Sequence, residues 1–244
     1  MSNWRMPVVR RSVLIAACLV AGFVSSAARA EPAAAEDCGP ERALEIAARV
    51  QAFYDSIQDF SARFEQVSES VLLSGASLGG EEPSRGHVVF AKRGRMRWSY
   101  LEPEPSLVVS NGKTMWIYDE AANQVTRMPV AQEYLAGAAL QFLLGEGEIV
   151  ESFHIKALTC TSESAELQLL PKRPASYEKL GLSADPGTGL VRETTIVDLF
   201  GNRTRIRFEA VQLDRGPPDS TFDFALPDGV EVIDLELGGT GPAP

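Results

Sequence analysis

GHVVFAKRGRMRWSYLEPEPSLVVSNGKTMWIYDEAANQVTRM, residues 86–128, decides the fold class. Within RMRWSY, Met96, Trp98 and Tyr100 alternate with Arg95, Arg97 and Ser99, which is a strand with one greasy face and one cationic or polar face. Pro103 and Pro105 then interrupt the ladder, because neither has an amide hydrogen to donate. After them LVVS and KTMWIY flank Asn111-Gly112, a strong hairpin signal.

A two-residue Asn111-Gly112 loop would set Ser110 opposite Lys113, Val109 opposite Thr114, Val108 opposite Met115 and Leu107 opposite Trp116. Leu107, Val109, Trp116 and Tyr118 then share one side, and Val108, Met115 and Ile117 the other. Both sides are apolar, whereas a sheet with one wet face alternates more cleanly. Something other than water is expected on each face. A sandwich core and a curved sheet lining a cavity both fit, and the pattern alone favours the core.

Working outward, the chain before this stretch reads as helix, strand and loop. Gly39 caps and Pro40 opens a helix whose apolar stripe is Leu44, Ala47, Val50, Tyr54 and Ile57, widened by Ile46 and Phe53. DFSARFEQ buries Phe60, Ala62 and Phe64 on one face, and residues 68–85 read as a long hairpin loop. After the stretch, residues 131–147 predict a second helix that crowds Tyr134, Leu135, Ala138, Ala139, Phe142 and Leu143 on one side and stops at Gly145. A second meander follows, ending in RTRIRFEAVQL, where Thr204, Ile206, Phe208 and Ala210 alternate with charged residues. The runs total about eleven strands with short turns, which argues for an antiparallel barrel or sandwich.

Residues 1–30 read as a secretory signal: Arg5, Arg10 and Arg11, an apolar segment, and Ala28-Arg29-Ala30 as cleavage site. Ile15-Ala16-Ala17-Cys18 resembles a lipobox, but only five apolar residues precede Cys18, so cleavage after Ala30 is expected. Residues 31–236 then form one domain and 237–244, LGGTGPAP, a disordered tail. Cleavage leaves 19 basic against 33 acidic residues, a net of −14, which argues against nucleic acid and against docking on anionic membranes by charge alone. Two cysteines remain, Cys38 and Cys160. In an exported chain an even count points to a disulfide, with two free thiols as the alternative.

Catalytic signatures are absent: the chain has no G-x-S-x-G elbow, P-loop, H-E-x-x-H or dinucleotide fingerprint. His87 and His154, the two histidines, lie in strands as packing or surface residues. Nothing pairs a nucleophile with a base, so neither enzyme chemistry nor a metal or cofactor is expected.

The same residues carry a resemblance. FSARFEQ, then FAKRGRMRWSYLEPEPSLVVSNGKTMWIYDEAANQVT, then FLLG, then FDFALPDGVEVID, spread over about residues 42–235, resemble the outer-membrane lipoprotein carrier family, LolA. Gly94 departs from the pattern, where many members have Pro after the Lys-Arg pair. The resemblance implies an unclosed antiparallel β-barrel of about eleven strands with a helical lid. It implies a monomeric periplasmic carrier of triacylated lipoproteins, working between an inner-membrane lipoprotein-release ABC transporter complex and, where one exists, an outer-membrane lipoprotein receptor. On this reading Phe60, Phe64, Phe90, Met96 and Trp98 line the acyl cavity, joined by Phe142 and Leu143 from the lid. Arg93 matches the arginine that members place near the cavity mouth, where it would hold the lid shut by bonding helix-end carbonyls. Lys92 and Arg95 remain solvated charges.

Two other readings use the same fold. A periplasmic lipid- or lipoprotein-sensing regulator similar to those that bind anti-sigma factors would need a second domain, not expected after residue 235. An outer-membrane receptor sibling would itself carry a lipid on Cys18. Magnitudes constrain a carrier. One acyl chain of ~15 methylenes gains roughly 12 kcal/mol on leaving water. Three would pass the practical ceiling of about 18–21 kcal/mol for non-covalent binding. Release therefore demands an open or easily opened cavity.

Overall fold

The computed structural model describes residues 38–71, 82–130 and 147–235. The expected second helix with Phe142 and Leu143, the signal segment and the tail lie outside these residues. Helix α1 (Pro40–Ser56) starts as read, with Gly39 as N-cap and Pro40 in the first turn. It buries Ala43, Ile46, Ala47, Val50 and Tyr54. Leu44 is not in the stripe; it is 45% exposed, because Ala43 takes the place one residue earlier on the helix circumference.

Eleven strands follow in two meanders, and a twelfth comes after them. The first meander comprises β1 (Asp59–Glu69), β2 (Ser84–Ala91), β3 (Arg95–Glu102), β4 (Ser106–Asn111), β5 (Thr114–Asp119) and β6 (Gln124–Pro129). After a one-turn helix α2 (Ile149–Ser152) come β7 (Phe153–Cys160), β8 (Ala165–Pro171), β9 (Tyr177–Ala184), β10 (Val191–Asp198) and β11 (Arg203–Leu213). The last strand is β12 (Glu231–Asp234). All belong to one sheet in the order β12-β6-β5-β4-β3-β2-β1-β11-β10-β9-β8-β7. Its end strands do not pair, so the sheet is unclosed as expected. Among the described residues the strand number is twelve, and β12 runs parallel to β6. The entirely antiparallel expectation fails there because a long segment separates β12 from β11 and lets it arrive in either direction.

The β1–β11 pairing joins the meanders. Its register shifts between Ser61 and Arg63, opposite Ala210 at φ 50°. A bulge bends and twists a strand pair, and it also breaks the reading of β11 as cleanly two-faced. Ile206 and Phe208 are buried as the alternation says, but Ala210 is exposed, and Val211 and Leu213 turn inward instead. Asp59 anchors the same junction. Its carboxylate accepts the backbone amides of Arg215 (2.8 Å) and Gly216 (2.9 Å), steering the chain away from the sheet after β11.

In the β4–β5 hairpin Ser110 opposes Met115, Val109 opposes Trp116 and Leu107 opposes Tyr118. The partners are thus offset by two residues on β5 from those read off the sequence. Asn111 stands at the end of β4, and its Oδ1 accepts the amides of Lys113 (2.9 Å) and Thr114 (2.8 Å). Gly112 takes φ +88°, and a Cβ there would collide with the carbonyl oxygen of Arg93. An even offset preserves the faces. Val108 and Met115 belong with the main core, whereas Trp116 and Tyr118 carry the ring of Phe224, at 6.1 and 6.0 Å between centroids. The segment after β11 therefore covers the outer face of this hairpin. Phe222 is buried there too, under the Arg95 guanidinium at 5.0 Å.

Cys38 and Cys160 are disulfide-bonded across 122 residues, tying the start of α1 to the end of β7. No helix among the described residues is long and apolar enough to cross a membrane.

Candidate functional site

The side chains singled out from sequence come together on the inner face of the first meander. Strand pairing arranges them in rows across the sheet. One row is Phe60, Phe90, Met96, Ser110, Met115 and Met128, all buried. The next is Ala62, Val88, Trp98, Val108, Ile117 and Thr126, buried at β1–β3 and more exposed toward β5. The third is Phe64, Gly86, Tyr100, Ser106 and Asp119, which ends in water. The wall thus grades from dry to wet along two directions.

Aromatic rings form the centre of this wall. Trp98 lies 4.9 Å from Phe64, 5.6 Å from Phe90 and 6.4 Å from Phe208, between ring centroids. Phe60 meets Phe90 at 6.0 Å and Phe208 at 5.5 Å edge-on, the geometry ring quadrupoles favour. Gly86 makes the packing possible: a Cβ there would collide with Ser99 O and stand 2.9 Å from Phe64 Cε1. Sequence reasoning passed over Gly86, although a glycine inside a strand run is itself a sign of close approach. Phe208 and Tyr100 were likewise missed from the site, and their alternation with Arg207 and Ser99 was the available signal.

Few polar groups interrupt the wall. Tyr100 Oη donates to Gln66 Oε1 at 3.0 Å, and burial pushes its phenol up to about 12, so it stays neutral at ordinary pH. Trp98 is 4% exposed, and its Nε1–H finds no hydrogen-bond partner among the described residues. An unmatched buried donor costs about 1–3 kcal/mol. At this position it is a donor available to a carbonyl brought in among the rings.

Arg93 sits in the β2–β3 turn at φ 69°, with an exposed side chain and no bond or ion pair among the described residues. The helix-end contact belongs to its neighbour. Lys92 Nζ donates to the Asp55 carbonyl in the last turn of α1, and its backbone amide donates to Gln58 O (3.0 Å). Lys92 is therefore not a solvated charge as the sequence suggested, because the turn aims it at unsatisfied carbonyls. Arg95 also departs from that class, pairing with Asp219 at 2.5 Å.

His87 and His154 are exposed on β2 and β7, strands with five others between them in the sheet. No cluster of three or more metal-ligating side chains exists among the described residues.

Comparison with known proteins agrees with the resemblance read from the sequence. Residues 55–225 match the model of "Outer membrane lipoprotein carrier protein LolA". The chain belongs to the LolA family. A curated carrier from Chromobacterium violaceum is 31% identical over 189 residues, 76% of this chain and 86% of that one. One from Cupriavidus pinatubonensis is 27% identical over 226 residues, 92% of this chain and 99% of the relative. Both are named outer-membrane lipoprotein carrier protein. Among solved structures, a LolA superfamily protein from Nitrosomonas europaea aligns at TM-score 0.43 and 12% identity, over 75% of this chain and 97% of that one.

Proposed function

We propose that this LolA-family chain is a periplasmic carrier that binds the acyl chains of lipoproteins and delivers them to the outer membrane. The observation that carries this reading is the graded inner wall. It is apolar over two strand rows and the start of a third, rich in rings and thioethers that adapt to a flexible chain, and it belongs to a sheet whose end strands, β12 and β7, do not pair with each other. Phe60, Phe64, Phe90, Met96 and Trp98 are its acyl contacts. The leader at residues 1–30 supplies export, and the disulfide suits an oxidising compartment. On this reading the inner-membrane release complex supplies cargo, and release relies on partial burial rather than on an energy source. Arg93, exposed and without a partner among the described residues, is free to bond a lid carbonyl when the cavity empties.

Native mass spectrometry of the protein purified from periplasm is expected to show co-purified acylated lipoprotein. A regulatory protein in its place would shift the reading to a sensor, and an acylated Cys18 would shift it to a receptor. Arg93→Leu is expected to take up lipoprotein normally but transfer it more slowly; transfer at the wild-type rate would return Arg93 to the surface-charge class.

A further inference from the structure

The turn between β10 and β11 carries Leu199 and Phe200, 66% and 85% exposed, the two most exposed large apolar side chains among the described residues. The exposure is not that of a loose loop. Asp198 braces the turn: its Oδ1 accepts the amides of Phe200 (2.8 Å) and Asn202 (2.9 Å), and its Oδ2 accepts Asn202 Nδ2 (2.8 Å). Gly201 N donates to Asp198 O (3.1 Å), and Asp198 N to Asn202 O (3.0 Å). Asn202 Oδ1 in turn accepts the amide of Val71, itself 51% exposed, at 3.1 Å. Two apolar side chains are thus held out on a rigid tip with a third beside them.

We propose that this tip inserts into the headgroup–acyl boundary of a phospholipid bilayer. Two features favour a membrane over a protein partner. The amides of Phe200, Gly201 and Asn202 are all spent within the turn, the condition for a backbone leaving water. Arg203 and Arg205 stand behind the tip on β11, about 10 Å and about 16 Å from Phe200 at about 3.3 Å per residue, which sets Arg203 at headgroup depth and Arg205 beyond it. Neither forms an ion pair among the described residues, although Glu69 is the register partner of Arg203. Both line a groove of about 290 Å³ on the outer face with Lys179 and Thr195. Glu166 and Glu193 also line it, and Glu193 is already paired with Arg207 at 3.2 Å. The net charge of the mature chain opposes anionic surfaces, so the tip supplies the attraction and the arginines the orientation.

The test is flotation of the protein with vesicles of phosphatidylethanolamine and phosphatidylglycerol. Wild type is expected to float, and Leu199→Ser/Phe200→Ser to lose partitioning by roughly tenfold for each side chain. Because both residues are exposed, the variant keeps its fold and its binding of a fluorescent fatty acid. In the Phe200→Trp variant, the emission of the introduced indole is expected to shift to the blue when vesicles are added. Wild type that does not float, a serine variant that floats equally, or an introduced indole whose emission vesicles leave unmoved would each overturn the proposal. So would a serine variant that floats normally yet fails to pass on cargo, since the tip would then dock a protein. The proposal stands apart from the carrier reading: loss of fatty-acid binding by wild type would defeat the carrier while leaving vesicle binding to be judged on its own.

Discussion

The two meanders bury their inner faces differently. In the second, Leu167, Leu169, Leu180, Leu182, Ala184 and Val191 form an aliphatic layer, and α1 lies on β7 and β8. Tyr54 of that helix accepts the amide of Val191 at 3.2 Å, and desolvation raises its phenol well beyond the usual range. The disulfide pins the helix start to β7. In the first meander the wall is aromatic and thioether, and it grades into water. Branched aliphatics interlock and specify one packing, while flat rings and methionine tolerate a changing partner. On the proposed carrier reading one half is a scaffold and the other the binding surface, built from the same antiparallel pairing.

The sharpest way to break this distinction is to damage the scaffold half. Leu180→Ala should cost about 2–5 kcal/mol in urea denaturation while leaving fatty-acid affinity unchanged under native conditions. A selective binding defect would show that the second meander also holds ligand. Removing the tie with Cys38→Ser/Cys160→Ser should cost typically about 2–4 kcal/mol, again without a change in affinity. Thiol labelling of the unfolded, unreduced wild type should find neither cysteine free.

Substitutions in the binding half should separate stability from affinity. Trp98→Phe keeps a ring and removes the donor. It should weaken an ester-linked lipid probe by roughly five- to tenfold, the worth of one hydrogen bond, and leave the ether-linked analogue unaffected. Equal losses for both probes would mean that the indole acts by shape alone. Polar replacement, Trp98→Gln, should lower binding of a fluorescent fatty acid with the fold intact; unfolding without a selective binding defect would make the wall an ordinary core.

The smallest expected effect concerns pH at the β10–β11 tip. Burial alone would raise the Asp198 carboxyl, but the hydrogen bonds from Asn202, Phe200 and Gly201 hold it below its ordinary 3.8. A depressed carboxylate stabilises the fold above its unfolded value and loses that contribution as pH falls through the folded one. The turn should therefore keep its order at neutral pH and loosen only below about pH 4, seen as faster amide exchange at Phe200 and Asn202. Asp198→Asn should show the same loosening at neutral pH. Loosening already at about pH 6 in wild type would point to another group.

Much of the architecture was legible in local pattern. Period-two alternation in RMRWSY and FSARFEQ placed Phe60, Phe64, Met96 and Trp98 on buried faces, and Gly39-Pro40 opened α1 where the structure has it. Hairpin faces survived a wrong register because side chains repeat every two residues and the error was even. These features depend on a residue and its near neighbours, which a sequence states directly. Long-range placement did not follow from it. That β11 rather than another strand pairs with β1, that Phe224 covers Trp116, that Asp59 holds residues 215–216, and that Lys92 rather than Arg93 meets the end of α1 each rest on residues far apart in the chain. Such contacts are selected by the total burial they allow, a property of the whole packed sheet. The same reason hid the exposure of Leu199 and Phe200: LFGN reads as a turn, but only the fold shows that nothing among the described residues covers its two apolar side chains.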